Sequence, residues 1–161
     1  MARIGITGHS ALTEVSLPLI AEGLREVLAG QEKLVGVTCL AKGADQIFAR
    51  VTLELGGTIE VAIPSEDYRE RKVKPADRPE FDALLKEADV VSVMPFTRAG
   101  RDAYMAASEY VLSTVDELVA VWDGGPSSGY GGTSDVVEAA HKRGMRVTVV
   151  WPDGCMRTMD S

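Results

Sequence analysis

Residues 117–144 read ELVAVWD, then GGPSSGYGG, then TSDVVEAAHKRG. The first part is a short apolar run, the second a glycine-rich connection, and the third an amphipathic helical pattern stopped by Gly144. Strand, glycine loop and helix in that order make up most of a β–α–β unit.

The same alternation recurs outward from this stretch. Strand-like runs fall at residues 3–7, 34–38, 58–63, 89–94 and 117–122, and a last one at 146–150. Helical periodicity fills the gaps at 15–29, 44–55, 79–88, 102–113 and 133–143. In the first helix Leu17, Ile20, Leu24 and Leu28 are spaced for one face, and in the second Ile47, Phe48, Val51 and Leu55 are. Several strand runs are apolar nearly throughout, as strands covered on both faces are. The sequence predicts one α/β domain over residues 1–161, Rossmann-like and doubly wound, with a mostly parallel sheet of about six strands and helices on both faces. Such strands are expected in the order 3-2-1-4-5-6, with the switch point between the first and fourth. Residues 65–78, polar and containing Pro75, read as a mobile loop over one edge of the site.

Composition narrows the classes of function. With 161 residues and 45% hydrophobic content, the chain can bury a full core. A net charge of −7 disfavours non-specific attraction to DNA or RNA, so nucleic acid is not an expected partner. The basic run at 69–74 reads as a solvated loop. Cys39 and Cys155 match no metal or redox spacing, so neither a metal site nor a resident cofactor is expected, and Cys39 reads as a small core residue. No apolar run reaches the length of a membrane span, and a strand pattern begins at Ala2. The expectation is therefore no signal peptide and a cytoplasmic location. The helices at 102–113 and 133–143 carry more apolar and aromatic positions than one sheet face needs, which predicts a homodimer.

In open α/β sheets, ligands sit outside the carboxyl ends of the strands. The loops that follow the strands are therefore the ones to read for chemistry. In the glycine-rich connection Gly129, Gly131 and Gly132 let backbone N–H groups turn toward an anion, and the helix start at Thr133 adds its dipole and a hydroxyl. The same stretch also reads as a flexible connection, with Thr133 only a cap. After the first strand comes Thr7-Gly8-His9-Ser10, whose spacing matches neither a dinucleotide fingerprint nor a Walker loop. Gly8 and Ser10 lie where a ligand would approach. His9 is a ligand contact, an acid–base group or a polar loop residue.

After the second strand comes Ala41-Lys42-Gly43-Ala44-Asp45. Lys42 offers a point charge for phosphate, and Asp45 either bonds ribose hydroxyls or favours the helix dipole. Arg98 is placed to clamp a phosphate or carboxylate. Glu109 reads as a solvated or capping residue in preference to a catalytic acid. Asp123 is a functional carboxylate or closes a turn with Gly124.

In their order along the chain, Thr7-Gly8-His9, Ala41-Lys42-Gly43-Ala44-Asp45, Val121-Trp122-Asp123-Gly124 and Gly129-Tyr130-Gly131-Gly132-Thr133 resemble the SLOG superfamily of Rossmann-like proteins. That superfamily includes the LOG phosphoribohydrolases, once labelled lysine decarboxylases, and the DprA DNA-processing proteins. The resemblance implies binding of nucleotides or nucleotide-derived small molecules, by an enzyme or as a sensor. The LOG enzymes carry P-G-G-x-G-T-x-x-E, whose final Glu acts in cleaving an N-glycosidic bond. Aligning that Gly-Thr pair with Gly132-Thr133 puts Val136 at the glutamate position, with Asp135 one residue early and Glu138 two late. A one-residue shift turns a helical side chain by about 100°. The leading Pro-Gly-Gly is Ser128-Gly129-Tyr130 here.

Catalytic residues are accordingly left unassigned, with Asp135, Glu109 and Arg98 as candidates. The expected function is binding of a nucleotide-like ligand such as AMP, ADP-ribose or NAD, as a sensor or accessory protein. The alternatives are a LOG-like phosphoribohydrolase and a structural or partner-binding module.

Overall fold

The apolar runs become strands because each can bury both its faces between helices. The computed structural model describes residues 2–126 and 132–158. Its strands are β1 (Ala2–Gly8), β2 (Leu34–Thr38), β3 (Thr58–Ile63), β4 (Val90–Val93), β5 (Glu117–Val121) and β6 (Arg146–Val149). All neighbouring pairs are parallel. The helices are α1 (Ser16–Leu28), α2 (Ala44–Glu54), α3 (Tyr68–Lys72), α4 (Arg78–Lys86), α5 (Arg101–Thr114) and α6 (Thr133–Lys142).

Core packing assigns the helices to faces. Ile4, Ile6, Val119 and Val121 pack with Ile20 and Leu24 of α1 and with Ile47 and Phe48 of α2. Ile59, Val61 and Ile63 continue that layer under Phe81 and Leu84 of α4. The opposite face is covered by Ala107 and Val111 of α5, against Val37 and Ala62, and by Val136 and Ala140 of α6, against Leu118. The architecture is a Rossmann-like α/β fold with a six-stranded parallel sheet, as the periodicity predicts.

The strand order differs from the expected one. It runs β4-β3-β2-β1-β5-β6, so the fourth strand extends the edge beyond β3 instead of pairing with β1. The segment between β3 and β4 stays on the face of α2, and a right-handed crossover there places β4 outside β3. The chain then returns through α5, on the other face, to lay β5 beside β1. The switch point thus lies between β1 and β5, where Gly8 is in register with Val121.

Residues 65–78 also depart from the expectation of a mobile loop. They fold into α3, a 3-10 turn at Pro75–Asp77 and the first residue of α4. Tyr68 and Val73 are buried, and the Arg69 guanidinium donates to both carboxylate oxygens of Asp82 at 2.7 Å. Arg78 donates to the carbonyls of Val73 and Glu70 at 3.2 and 3.1 Å. Two apolar anchors in a run of charges gave no periodicity to read. In α1, Leu17 is exposed while Ser16 is fully buried, because Ser16 bonds backbone from the far end of the chain.

Candidate functional site

The site is built from loops at the carboxyl edge, and two of them touch backbone to backbone. The His9 N–H donates to Val121 O at 3.1 Å, extending the β1–β5 ladder, and His9 O accepts the Ala44 N–H at 3.2 Å. Gly43, just before α2, has φ +89, a conformation that L side chains rarely adopt. A Cβ there would lie 2.7 Å from Ser10 O and 2.8 Å from His9 O. A Cβ on Gly8 would lie 2.5 Å from Ala44 Cβ and 2.9 Å from Val121 Cβ. Both glycines therefore meet packing demands, while the backbone of Gly8 still lines the cleft.

The turn after β2 is held by side chains that sequence reading passes over. Leu40 is fully buried with φ +57, a left-handed conformation unusual for a branched residue. Its N–H donates to Thr38 Oγ1 at 3.0 Å, and its carbonyl accepts from Gln46 Nε2 at 3.1 Å. This turn carries Ala41 over the start of α2, where the Ala41 N–H donates to Asp45 Oδ2 at 3.2 Å. Asp45 is buried, and desolvation pushes its carboxyl up to about 7, against the lowering effect of its hydrogen bonds. Burial likewise raises the Cys39 thiol and the Tyr68 phenol, so both stay neutral beside it.

At the end of β5, Asp123 accepts the Gly125 N–H at 2.9 Å, and Trp122 Nε1 donates to Gly125 O at 2.8 Å. Asp123 thus both closes a turn and reaches the site, since its Oδ1 lies 3.3 Å from His9 Nε2. The Asp123 N–H also points at that nitrogen, 3.2 Å away. One nitrogen of a neutral imidazole cannot both accept from the amide and donate to the carboxylate. Burial, followed by the positive charge of Arg157, lowers the His9 pKa despite Asp123, which keeps the ring neutral at pH 7. The amide N–H is then the natural partner of Nε2. The Asp123 carboxylate stays ionised, held below its ordinary range by the Gly125 N–H and by the charge of Arg157.

These loops enclose a cleft of about 780 Å³. Of the residues expected at the site, Gly8, His9, Ser10, Lys42, Asp45, Gly132 and Thr133 line it. Gly43 lies beneath them, and Asp123 joins through His9 and Arg157. Gly129 and Gly131 lie outside the described residues. Arg98 is exposed on the loop before α5 and does not line the cleft.

Glu109 and Asp135 line a separate groove of about 380 Å³ between α5 and α6, where Glu109 accepts from Arg143 at 2.5 Å. Val136, and not Asp135, faces the cleft. The 100° turn between adjacent helical positions has this consequence.

Several basic or aromatic contributors are not read as site residues from the sequence: Tyr68, Lys72 and Lys74 come from the folded 65–78 segment, Tyr104 from α5, Trp122 from just after β5, and Arg157 from the C-terminal region. Tyr68 and Tyr104 meet edge to face at 6.3 Å, forming an aromatic wall beside Asp45. Cys39 lines the cleft too, so it is not simply a core residue. Among the described residues no His, Cys, Asp and Glu side chains gather in threes as a metal site, and no helix is long and apolar enough to cross a membrane.

No family model matches the sequence, and no curated protein does. Solved structures match the fold. DNA processing protein A (DprA) from Streptococcus pneumoniae superposes with a TM-score of 0.69 at 16% identity, covering 92% of this chain and 50% of its own. DprA from Helicobacter pylori, described by its single-stranded DNA binding mode, gives 0.67 at 16% identity, covering 92% and 64%. The Moco carrier protein of Chlamydomonas reinhardtii gives 0.55 at 18% identity, covering 92% and 75%. This chain therefore spans between half and two thirds of the DprA chains it matches.

The exclusion of nucleic acid, drawn from net charge, is corrected here. A neighbour in fold binds single-stranded DNA. The charge of −7 is a sum over the surface, whereas this cleft is lined by Lys42, Lys72, Lys74 and Arg157. A local potential, not the total, decides what an opening attracts. The likeness to these structures establishes a Rossmann-like fold of the kind seen in DprA and the Moco carrier protein.

Proposed function

We propose that this SLOG-like chain binds a nucleotide or nucleotide-derived small molecule in the cleft at the β1–β5 switch point, as a sensor or accessory protein. The observation that carries the reading is the convergence of four cationic side chains, the Thr133 helix start and a Tyr68–Tyr104 wall on one opening. Cations and a helix N-terminus suit a phosphate, and tyrosine faces suit a base. The test is calorimetric titration of the full chain with AMP, ADP-ribose, NAD and cyclic dinucleotides. Saturable binding of at least one is expected; no heat from any of them at millimolar ligand counts against the reading.

A second reading is single-stranded nucleic acid, favoured by Lys72 and Lys74 on the rim and by the H. pylori neighbour. The two separate by salt dependence. An oligonucleotide crossing several lysines loses affinity steeply between 50 and 200 mM salt, on the order of tenfold per two phosphates contacted. A mononucleotide loses far less.

Hydrolysis of an N-glycosidic bond is not the favoured chemistry, because Val136 faces the cleft while Asp135 and Glu109 line the outer groove. Asp135→Ala is expected to leave AMP affinity within about twofold of wild type, as a surface change away from the ligand does. Free adenine accumulating from AMP with wild type, but not with Asp135→Ala, would restore the enzyme alternative.

A further inference from the structure

Beyond β6 the chain does not end at the sheet. Residues 151–158 return across α1 and lie against the β1–α1 loop. The Trp151 ring meets His9 edge to face, with centroids 5.6 Å apart. The Met156 N–H donates to Ser16 Oγ at 2.7 Å, and Thr13 N–H donates to Met156 O at 3.1 Å. Thr158 N–H donates to Ala11 O at 2.9 Å, and Leu12 and Arg157 form an antiparallel bridge. Cys155 is buried in the core layer beneath. The return is thus a pinned strap.

The strap's consequence is the position of Arg157. Its side chain is about two-thirds buried, lines the cleft, and acts on His9 through its charge. Its ion-pair partner is Asp123, with Nη1 3.6 Å from Oδ2. That exceeds the roughly 2.8 Å of a charge-assisted hydrogen bond, so the guanidinium is held nearby without a closed bidentate pair. Asp123 Oδ1 already accepts from Gly125. Lys42, by contrast, is mostly exposed and pairs with Asp77 at 3.3 Å, and Arg98 lies outside the cleft.

A planar fork in a cleft that also holds the Thr133 helix start suits a phosphate better than an ammonium does. We infer that Arg157, carried into the cleft by the C-terminal strap, is the guanidinium that clamps the ligand's phosphate, exchanging Asp123 for the phosphate oxygens. This rests on the cleft being a nucleotide site.

The experiment titrates AMP and ADP-ribose into wild type, Arg157→Ala, Arg157→Lys and Arg98→Ala, and follows the His9 ring by NMR across pH. Arg157→Ala is expected to weaken binding by about tenfold to a hundredfold, the range for a hydrogen bond to a charged group. Arg157→Lys recovers only part of the loss, Arg98→Ala changes nothing, and the His9 pKa rises once the neighbouring positive charge is gone. Wild-type affinity in Arg157→Ala overturns the clamp and leaves the cleft reading standing. An unmoved His9 titration overturns the placement of Arg157 beside it. A wild type that binds neither probe, nor NAD or a cyclic dinucleotide, overturns the cleft reading, and the clamp with it.

Discussion

Asp45→Asn is expected to stabilise the protein at pH 8 by about 2–4 kcal/mol and to leave it nearly unchanged at pH 4, since one pKa unit corresponds to about 1.4 kcal/mol. The carboxyl is pushed from its ordinary 3.8 up to about 7 by burial beneath the cleft. Below pH 4 both the folded and unfolded chains hold the proton, and the residue makes no difference. Between 4 and 7 the unfolded chain ionises while the folded one does not, so stability falls as pH rises. Above 7 the folded chain holds a buried carboxylate and the penalty is constant. Asparagine has no proton to lose.

Other groups bend the absolute curve the opposite way. The Glu60 and Asp82 carboxyls are lowered by their arginine partners, and His9 is lowered by burial. The informative quantity is therefore the difference between variant and wild type, read by urea unfolding at several pH values. A difference independent of pH would contradict the burial of an ionisable Asp45.

Gly43→Ala carries the second large effect, a loss of about 2–4 kcal/mol together with most of the ligand affinity, because it combines backbone strain with a main-chain clash. The clash is with the carbonyls of Ser10 and His9, which cannot swing aside as a side chain tip would. Gly56→Ala is the control, for Gly56 has φ +84 but nothing within 4 Å of where the added methyl group would sit. That variant should cost about 1 kcal/mol through strain alone. Equal losses at the two positions, measured as shifts in urea midpoint with unchanged slope, would mean that the β1–α1 loop does not rest on Gly43.

Much of this architecture is legible from residue pattern. The runs at 34–38 and 58–63 are strands end to end, and helix starts at Ala44 and Thr133 fall where the glycines before them predict. Strand order was not legible, because periodicity carries no record of which face a connection crosses. The chemistry was legible where neighbours in space are neighbours in sequence, as in Gly8-His9-Ser10 and Lys42 through Asp45. It failed where they are not. Arg157 lies in a polar C-terminal run with no periodicity, and only its bridge to Leu12 brings it to the site. Arg98 and Glu109 fail for the reverse reason: each lies close in sequence to residues of the site, and the turn of α5 or the loop before it directs the side chain elsewhere.

Amide chemical shifts recorded during titration with AMP test the location of the ligand most directly. Perturbation is expected at Gly8, His9, Lys42, Gly132 and Thr133, on three loops that all line the cleft. Silence there, with shifts confined to the α5–α6 groove around Glu109 and Asp135, would contradict it.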